Sequence, residues 1–304
     1  MPTGASRLGF WFLSRPQPVP DPPLDSACDL FPDYTRDSLY AAGSPTTSSY
    51  LIDNGWIKYT LNGYGQGAIG NGTIGPGLLY SPLGDGNYGA DDYITPGNPW
   101  EAFAVQAGAN TIGGSNSNSA VPILFPSGAL IWSLGGPNNH YAVLRGSASI
   151  GWVIVQYMTY PGEPIIRMKM TYQNTTGSTQ SVKMMRGADC DVDVESYGVY
   201  STVNRRGYST VPATDLVMSI GQYSGKPLSL YCPGNGYTHN TAILGLWPSY
   251  DFSIILSGNN SGNGDNAIAC AWNIGNVAAG ASASVCCFYI CTPDVQSIIA
   301  GLGY

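Results

Sequence analysis

Four carboxylates at every second position close the stretch "MMRGADCDVDVE": Asp189, Asp191, Asp193 and Glu195. On an extended strand that spacing puts all four on one face, with about 6.6 Å from one to the next but one. Like charges so placed repel unless water or a cation lies between them. Calcium takes six to eight oxygen ligands, and one short segment can supply several. Asp189, Asp191, Asp193 and Glu195 are therefore candidate ligands, with calcium as the ion. The run is not an EF-hand loop, because no Gly-x5-Glu continuation follows. The ordinary reading of the same pattern is a strand with its acids in water and Cys190, Val192 and Val194 in the core. The sequence favours that ordinary reading.

Other chemistry is thinner. Paired carboxylates hydrolyse glycosides at separations of roughly 5–5.5 or 6.5–9.5 Å. Asp189 and Asp193 could meet that spacing by geometry alone, as could many pairs, but no cleft is legible around them. The two histidines, in "GGPNNHYAV" (His140) and "GYTHNTA" (His239), read as polar loop residues, and no GxSxG marks a nucleophile. The glycine-rich "GYGQGAIGNG" lacks the lysine and the strand-loop-helix setting of a phosphate loop. The sequence thus points away from an enzyme. Loop aromatics (Tyr64, Tyr80, Tyr88, Tyr93, Trp100, Tyr237) could stack on sugars or serve a protein interface, and composition does not separate the two.

The elements that must position these residues are strands. "SYLIDNGWIKYTLNGYG" carries two β-rich runs around Asp53-Asn54-Gly55, a hairpin signal. In "PIIRMKMTYQN" apolar and polar residues alternate as a half-buried antiparallel strand requires. "NTTGSTQ" then turns the chain back into the acid run. Strand-and-turn texture continues to "SVCCFYIC", and only "PDVQSIIAGL" reads as a short helix, opened by Asp294. The fold class is all-β: a large antiparallel two-sheet β-sandwich over residues 46–304.

Residues 1–45 differ. "RPQPVPDPP" favours polyproline II and cannot donate to a sheet. Apolar anchors flank it, and Phe10, Trp11, Phe12, Leu30 and Phe31 are the expected partner-binding residues of an extended N-terminal arm. Of the 304 residues 43% are hydrophobic, enough for a sizeable core, and only 10% are charged. Such a surface suits a protein covered by partners. The net charge of −7, with 12 Lys and Arg in all, offers no basic face, so nucleic acid is not an expected partner. No stretch reaches the length of a membrane span. The apolar run at residues 8–13 is too short for a signal peptide, so export by the usual route is not expected. The seven cysteines form no CxxC pair and read mainly as small buried hydrophobes, as in a reducing cytoplasm.

Two stretches carry a resemblance. "RMKMTYQNTTGSTQSVKMMRGADCDVD" and "AWNIGNVAAGASASVCCFYI" resemble strand pairs of the large β-sandwich (supersandwich) domains found in galactose-mutarotase-like and carbohydrate-processing proteins. The likeness covers roughly residues 130–290 and implies a fold rather than an activity, since neither histidine has that family's flanking pattern. The opening "TGASRLGFWF" is similar to N-termini of bacteriophage virion proteins. Together with the arm and the low charge, this implies a virion structural protein, a capsid-decorating or tail component made in the host cytoplasm. Its partners would be other virion subunits or copies of itself. The alternatives are a carbohydrate-binding or carbohydrate-processing sandwich that meets a surface glycan, and a subunit of a non-viral extracellular filament.

Overall fold

The computed structural model describes residues 28–63, 67–70, 75–96, 99–116, 129–135, 139–246 and 250–303. Every strand pairing is antiparallel, as expected. A short helix α1 (Arg36–Ala42) precedes a three-stranded sheet of β1 (Tyr50–Asp53), β2 (Ile57–Leu61) and β3 (Leu78–Tyr80). Then come β4 (Glu101–Ala107), β5 (Asn110–Ser115), β6 (Leu130–Gly135), β7 (His140–Ser147), β8 (Gly151–Met158), β9 (Ile165–Gln173) and β10 (Gln180–Ala188). Helix α2 (Val194–Tyr197) leads to β11 (Thr202–Arg206), β12 (Leu216–Gly221), β13 (Pro227–Tyr231) and β14 (Thr238–Leu244). Helix α3 (Phe252–Leu256), β15 (Ala267–Val277), β16 (Ser282–Ile290) and α4 (Val295–Gly301) complete the chain.

Eight strands form one large sheet in the order β11-β12-β13-β16-β9-β8-β7-β6, and five form a second, β14-β15-β10-β4-β5. The core lies between them and follows the period of two. Met168, Met170 and Tyr172 of β9, with Val285, Cys287 and Tyr289 of β16, meet Met184 of β10 and Ile268, Cys270 and Trp272 of β15. Each side chain at every second position leaves water on the same side, and that shared burial drives the two sheets together. The three-stranded sheet packs on the same core through Ile57, Tyr59 and Leu78.

The β9–β10 and β15–β16 turns both pass from one sheet to the other. Asn174 locks them together: its amide donates to Ser178 O, Val277 O and Ala278 O at 2.9–3.0 Å, and its Oδ1 accepts from Thr176 N. These are the two stretches that carry the supersandwich resemblance, and this buried amide joins them. The hairpin around Asn54 forms as expected, with Oδ1 accepting from Trp56 N and Ile57 N.

The outer faces depart from expectation, because they are covered too. β9 is buried at eight of its nine positions. The segment from Cys28 lies across the outer face of the large sheet. Phe31 is buried among Phe288, Ile290 and Val295, with Leu30 half-buried beside it. Lys169 meets Asp33 at 2.5 Å, Gln156 donates to Pro32 O, and Cys28 is disulfide-bonded to Cys286. Leu30 and Phe31, expected to grip a partner, therefore pack on this chain's own sheet. Phe10, Trp11 and Phe12 lie outside the described residues. The other five cysteines are free and buried, as the sequence indicated, whereas the Cys28–Cys286 pair was not foreseen. Among the described residues no helix is long and apolar enough to cross a membrane.

Candidate functional site

The acid run is not a strand. β10 ends at Ala188, and the backbone then turns through residues 189–193 into α2. Two backbone bonds fix the turn: Asp189 N donates to Trp100 O (2.7 Å) and Asp191 N to Tyr93 O (3.1 Å). Gly187 makes the approach possible, since a Cβ there would meet the Trp100 ring at 2.6 Å. Asp189, Asp191 and Asp193 are consequently buried, each at 2% exposure or less, so the solvated-face reading is overturned. Its other half holds in part: Cys190 and Val192 enter the core as expected, while Val194 is half-buried.

The four acids also go to different places. Asp193 accepts backbone N–H groups of the β12–β13 turn, from Tyr223 (2.7 Å) and Ser224 (3.3 Å). Glu195 accepts from Asp92 N at 2.8 Å. Asp189 and Asp191 remain together and are joined by Asp265, an exposed residue on the loop before β15. One carboxylate oxygen from each of the three lies within 4.8 Å of the others. Burial, then Asp191 and Asp265, push the Asp189 carboxyl up to about 8; burial, then Asp265, push Asp191 up to about 7. The charged neighbours acting on these two groups are all carboxylates.

A second feature lies on the large sheet. A groove of about 430 Å³ runs between the β13 end and α4, lined by Thr210, Asp215, Tyr231, Asn235 and Gln296 among others. It falls within the roughly 300–1,000 Å³ of small-molecule sites. A second hollow of about 310 Å³ shares Gln296 and Ala300 with it and adds Asp294 and the exposed Tyr208. The guanidinium of Arg205 sits 4.8 Å from the Tyr208 ring centre. Asp215 accepts from His239 Nε2 at 2.8 Å. Burial would raise Asp215, but the His239 and Thr214 hydrogen bonds outweigh it and hold the carboxyl below the usual range. The same hydrogen bond lifts His239 above the ordinary imidazole value despite burial.

Neither histidine is the loop residue the sequence indicated. His140 is on β7, buried and bonded to Gln156 Oε1 at 3.0 Å, and His239 is on β14. The loop aromatics differ as well. Tyr80, Tyr88, Tyr93 and Trp100 are buried, Tyr237 is half-buried against the core, and Tyr64 lies outside the described residues. The exposed rings are others, such as Tyr197 and Tyr223, which stack with centroids 5.5 Å apart, and Tyr208. No local signal separates buried from exposed tyrosines in glycine-rich loops. Asp265, some seventy residues from its partners, was equally illegible.

The sequence matches no protein-family model and no curated protein. The fold, however, is similar to solved structures. A bacterial glucoamylase complexed with acarbose matches with a TM-score of 0.51 and 11% identity, over 86% of this chain and 35% of its own. A TPR-domain-containing protein from Parabacteroides distasonis matches at 0.44 (10% identity, 80% of this chain, 46% of its own). A polysaccharide lyase matches at 0.39 (14% identity, 81% and 34%). Those two are too distant to argue from. This chain spans about a third of the glucoamylase, and what the two share is a fold. The β-sandwich expected from the sequence is thus a fold that also occurs within a large carbohydrate-processing protein.

Proposed function

We propose that this chain is a carbohydrate-binding β-sandwich that holds a glycan along the groove beside α4 and does not cleave it. The observation that carries the reading is the fold: 86% of the chain superposes on part of a glucoamylase solved with acarbose. The groove supports it. Amides and hydroxyls at Asn235, Gln296 and Thr210 suit sugar hydroxyls, and Gln296 lies where the two hollows join, so a ligand longer than one ring runs past it. Tyr208 offers an exposed ring at the far end, with a face for stacking. Cleavage is disfavoured by the state of Asp215. A general acid at neutral pH needs a raised pKa, whereas His239 lowers this one.

A glycan array followed by calorimetry tests the reading. Binding that weakens about tenfold in Gln296→Ala and Tyr208→Ala, with the melting temperature unchanged, is expected. An array without hits sinks the proposal. Sugar release by the wild type that disappears in Asp215→Asn would sink its non-catalytic half.

A further inference from the structure

Among the described residues, the buried acids outside the cluster each face a cation or backbone N–H donors. Asp92 accepts from Gly77 N, Leu78 N, Ile94 N and Thr95. Asp91 leaves Oδ1 without a partner but is neutralised through Oδ2 by Lys226, Glu101 is paired with Arg186, and Asp193 caps a turn. Asp191 is different. The residue is 2% exposed, its carboxylate lies against those of Asp189 and Asp265, and its Oδ1 has no hydrogen-bond partner among the described residues. An orphaned carboxylate oxygen so placed costs free energy unless something outside the chain occupies the space.

We propose that Asp189, Asp191 and Asp265 hold one hard divalent cation, calcium in preference to magnesium, which ties the end of β10 to the loop before β15. Two oxygens on one calcium stand at most about 5 Å apart, against about 4.2 Å on magnesium. One oxygen from each carboxylate falls within 4.8 Å of the others, a span that calcium's flexible shell closes on with a small side-chain shift, whereas magnesium demands a near-ideal octahedron. The donor set is all oxygen, which selects a hard ion over zinc or copper. Cys190 lies between two of the acids in sequence, but its thiol turns into the core toward Ala188 O. The frame is already rigid. Backbone bonds to Trp100 O and Tyr93 O set Asp189 and Asp191, while the Thr202–Gly264 bond pair and the Asn266 bond to Gly262 O set the loop. Asp265 is exposed, which gives an ion from solvent a way in, and water completes the shell.

The whole chain, stripped with EDTA and titrated calorimetrically with calcium and separately with magnesium, tests this. Expected are one calcium per chain, tighter than magnesium, and a melting temperature about 5 °C higher at a hundredfold excess over Kd. Asp265→Asn, at an exposed position that the fold does not need, should weaken binding at least tenfold. Asp191→Asn should abolish it and, in EDTA, melt at or above the wild type. The proposal falls if neither ion gives heat or a thermal shift, if magnesium binds more tightly, or if Asp265→Asn binds calcium as the wild type does. A glycan array without hits leaves it untouched.

Discussion

Two groups of buried charge flank the same stretch of β10, three residues apart, and they are handled in opposite ways. At Arg186 the chain supplies both signs. Its guanidinium lies 2.5 Å from Glu101 Oε1, both side chains fully buried. Glu101 also accepts from Ile69 N and Tyr289 Oη, and Arg186 donates to Tyr157 Oη at 3.0 Å. The Phe103, Tyr157 and Tyr289 rings surround the guanidinium at 5.1–5.9 Å. Burial would strip its proton, but Glu101 outweighs burial and keeps it a cation. At Asp189 and Asp191 the chain supplies one sign alone. Burying a charge is tolerable when a partner and hydrogen bonds replace water. The first group meets that condition from within the sequence. The second meets it only by taking a proton or an ion from outside, and Asp215 stands between the two cases because its partner, His239, can lose its own charge.

Breaking the internal pair gives the largest effect. Glu101→Ala strands Arg186 in the core and should cost about 3–5 kcal/mol in urea unfolding. The double change Glu101→Gln with Arg186→Met should cost less than the two single changes summed. A loss under about 1 kcal/mol for Glu101→Ala would mean that the pair is not buried as described.

The acid cluster should respond with the opposite sign. In EDTA, Asp191→Asn removes a charge that has no counter-charge and should leave stability unchanged or raise it by about 1 kcal/mol. The pH dependence follows from the raised carboxyls at about 8 and about 7, against an ordinary value of 3.8. Groups that hold their protons more tightly when folded stabilise least when deprotonated. The stripped wild type should therefore lose stability as pH rises from about 4 to 8, and Asp191→Asn should lose less. Equal slopes in the two proteins would erase the contrast with Arg186.

The smallest effect belongs to Asp215 and His239. His239 is raised, so its contribution is complete below about 6.5 and is lost as pH climbs through its folded value. Asp215 is lowered, so its contribution is complete above about 3.8 and is lost as pH falls through its folded value. The stability advantage over His239→Gln should be about 0.5 kcal/mol near pH 5.5 and shrink by pH 8.5. An advantage that grew with pH would assign the bond to a neutral imidazole.

What could be read from the sequence was whatever a few neighbouring residues decide. Alternation in β9, the Asp-Asn-Gly hairpin, the turn at Asn174 and the short helix after Asp294 were all legible, and with them the all-β class. What failed depended on distant residues. The acids of "DCDVDVE" alternate as a strand would, but Trp100 O and Tyr93 O capture their backbone, and no pattern near residue 190 announces that. Lys169 looked like the wet side of β9 because the Asp33 segment that covers it lies far away in the chain. Leu30 and Phe31 looked like anchors for another molecule because an apolar pair reads the same whichever sheet it packs on.

The Cys28–Cys286 bond spans 258 residues and encloses nearly the whole sandwich in one covalent ring. A protease that nicks any surface loop inside that ring linearises it without releasing a fragment. Such a chain would run as a single species on a denaturing gel until reductant is added, and then as two. Damage to its loops would thus stay invisible to size alone, and the nicked molecule would keep its pieces in register.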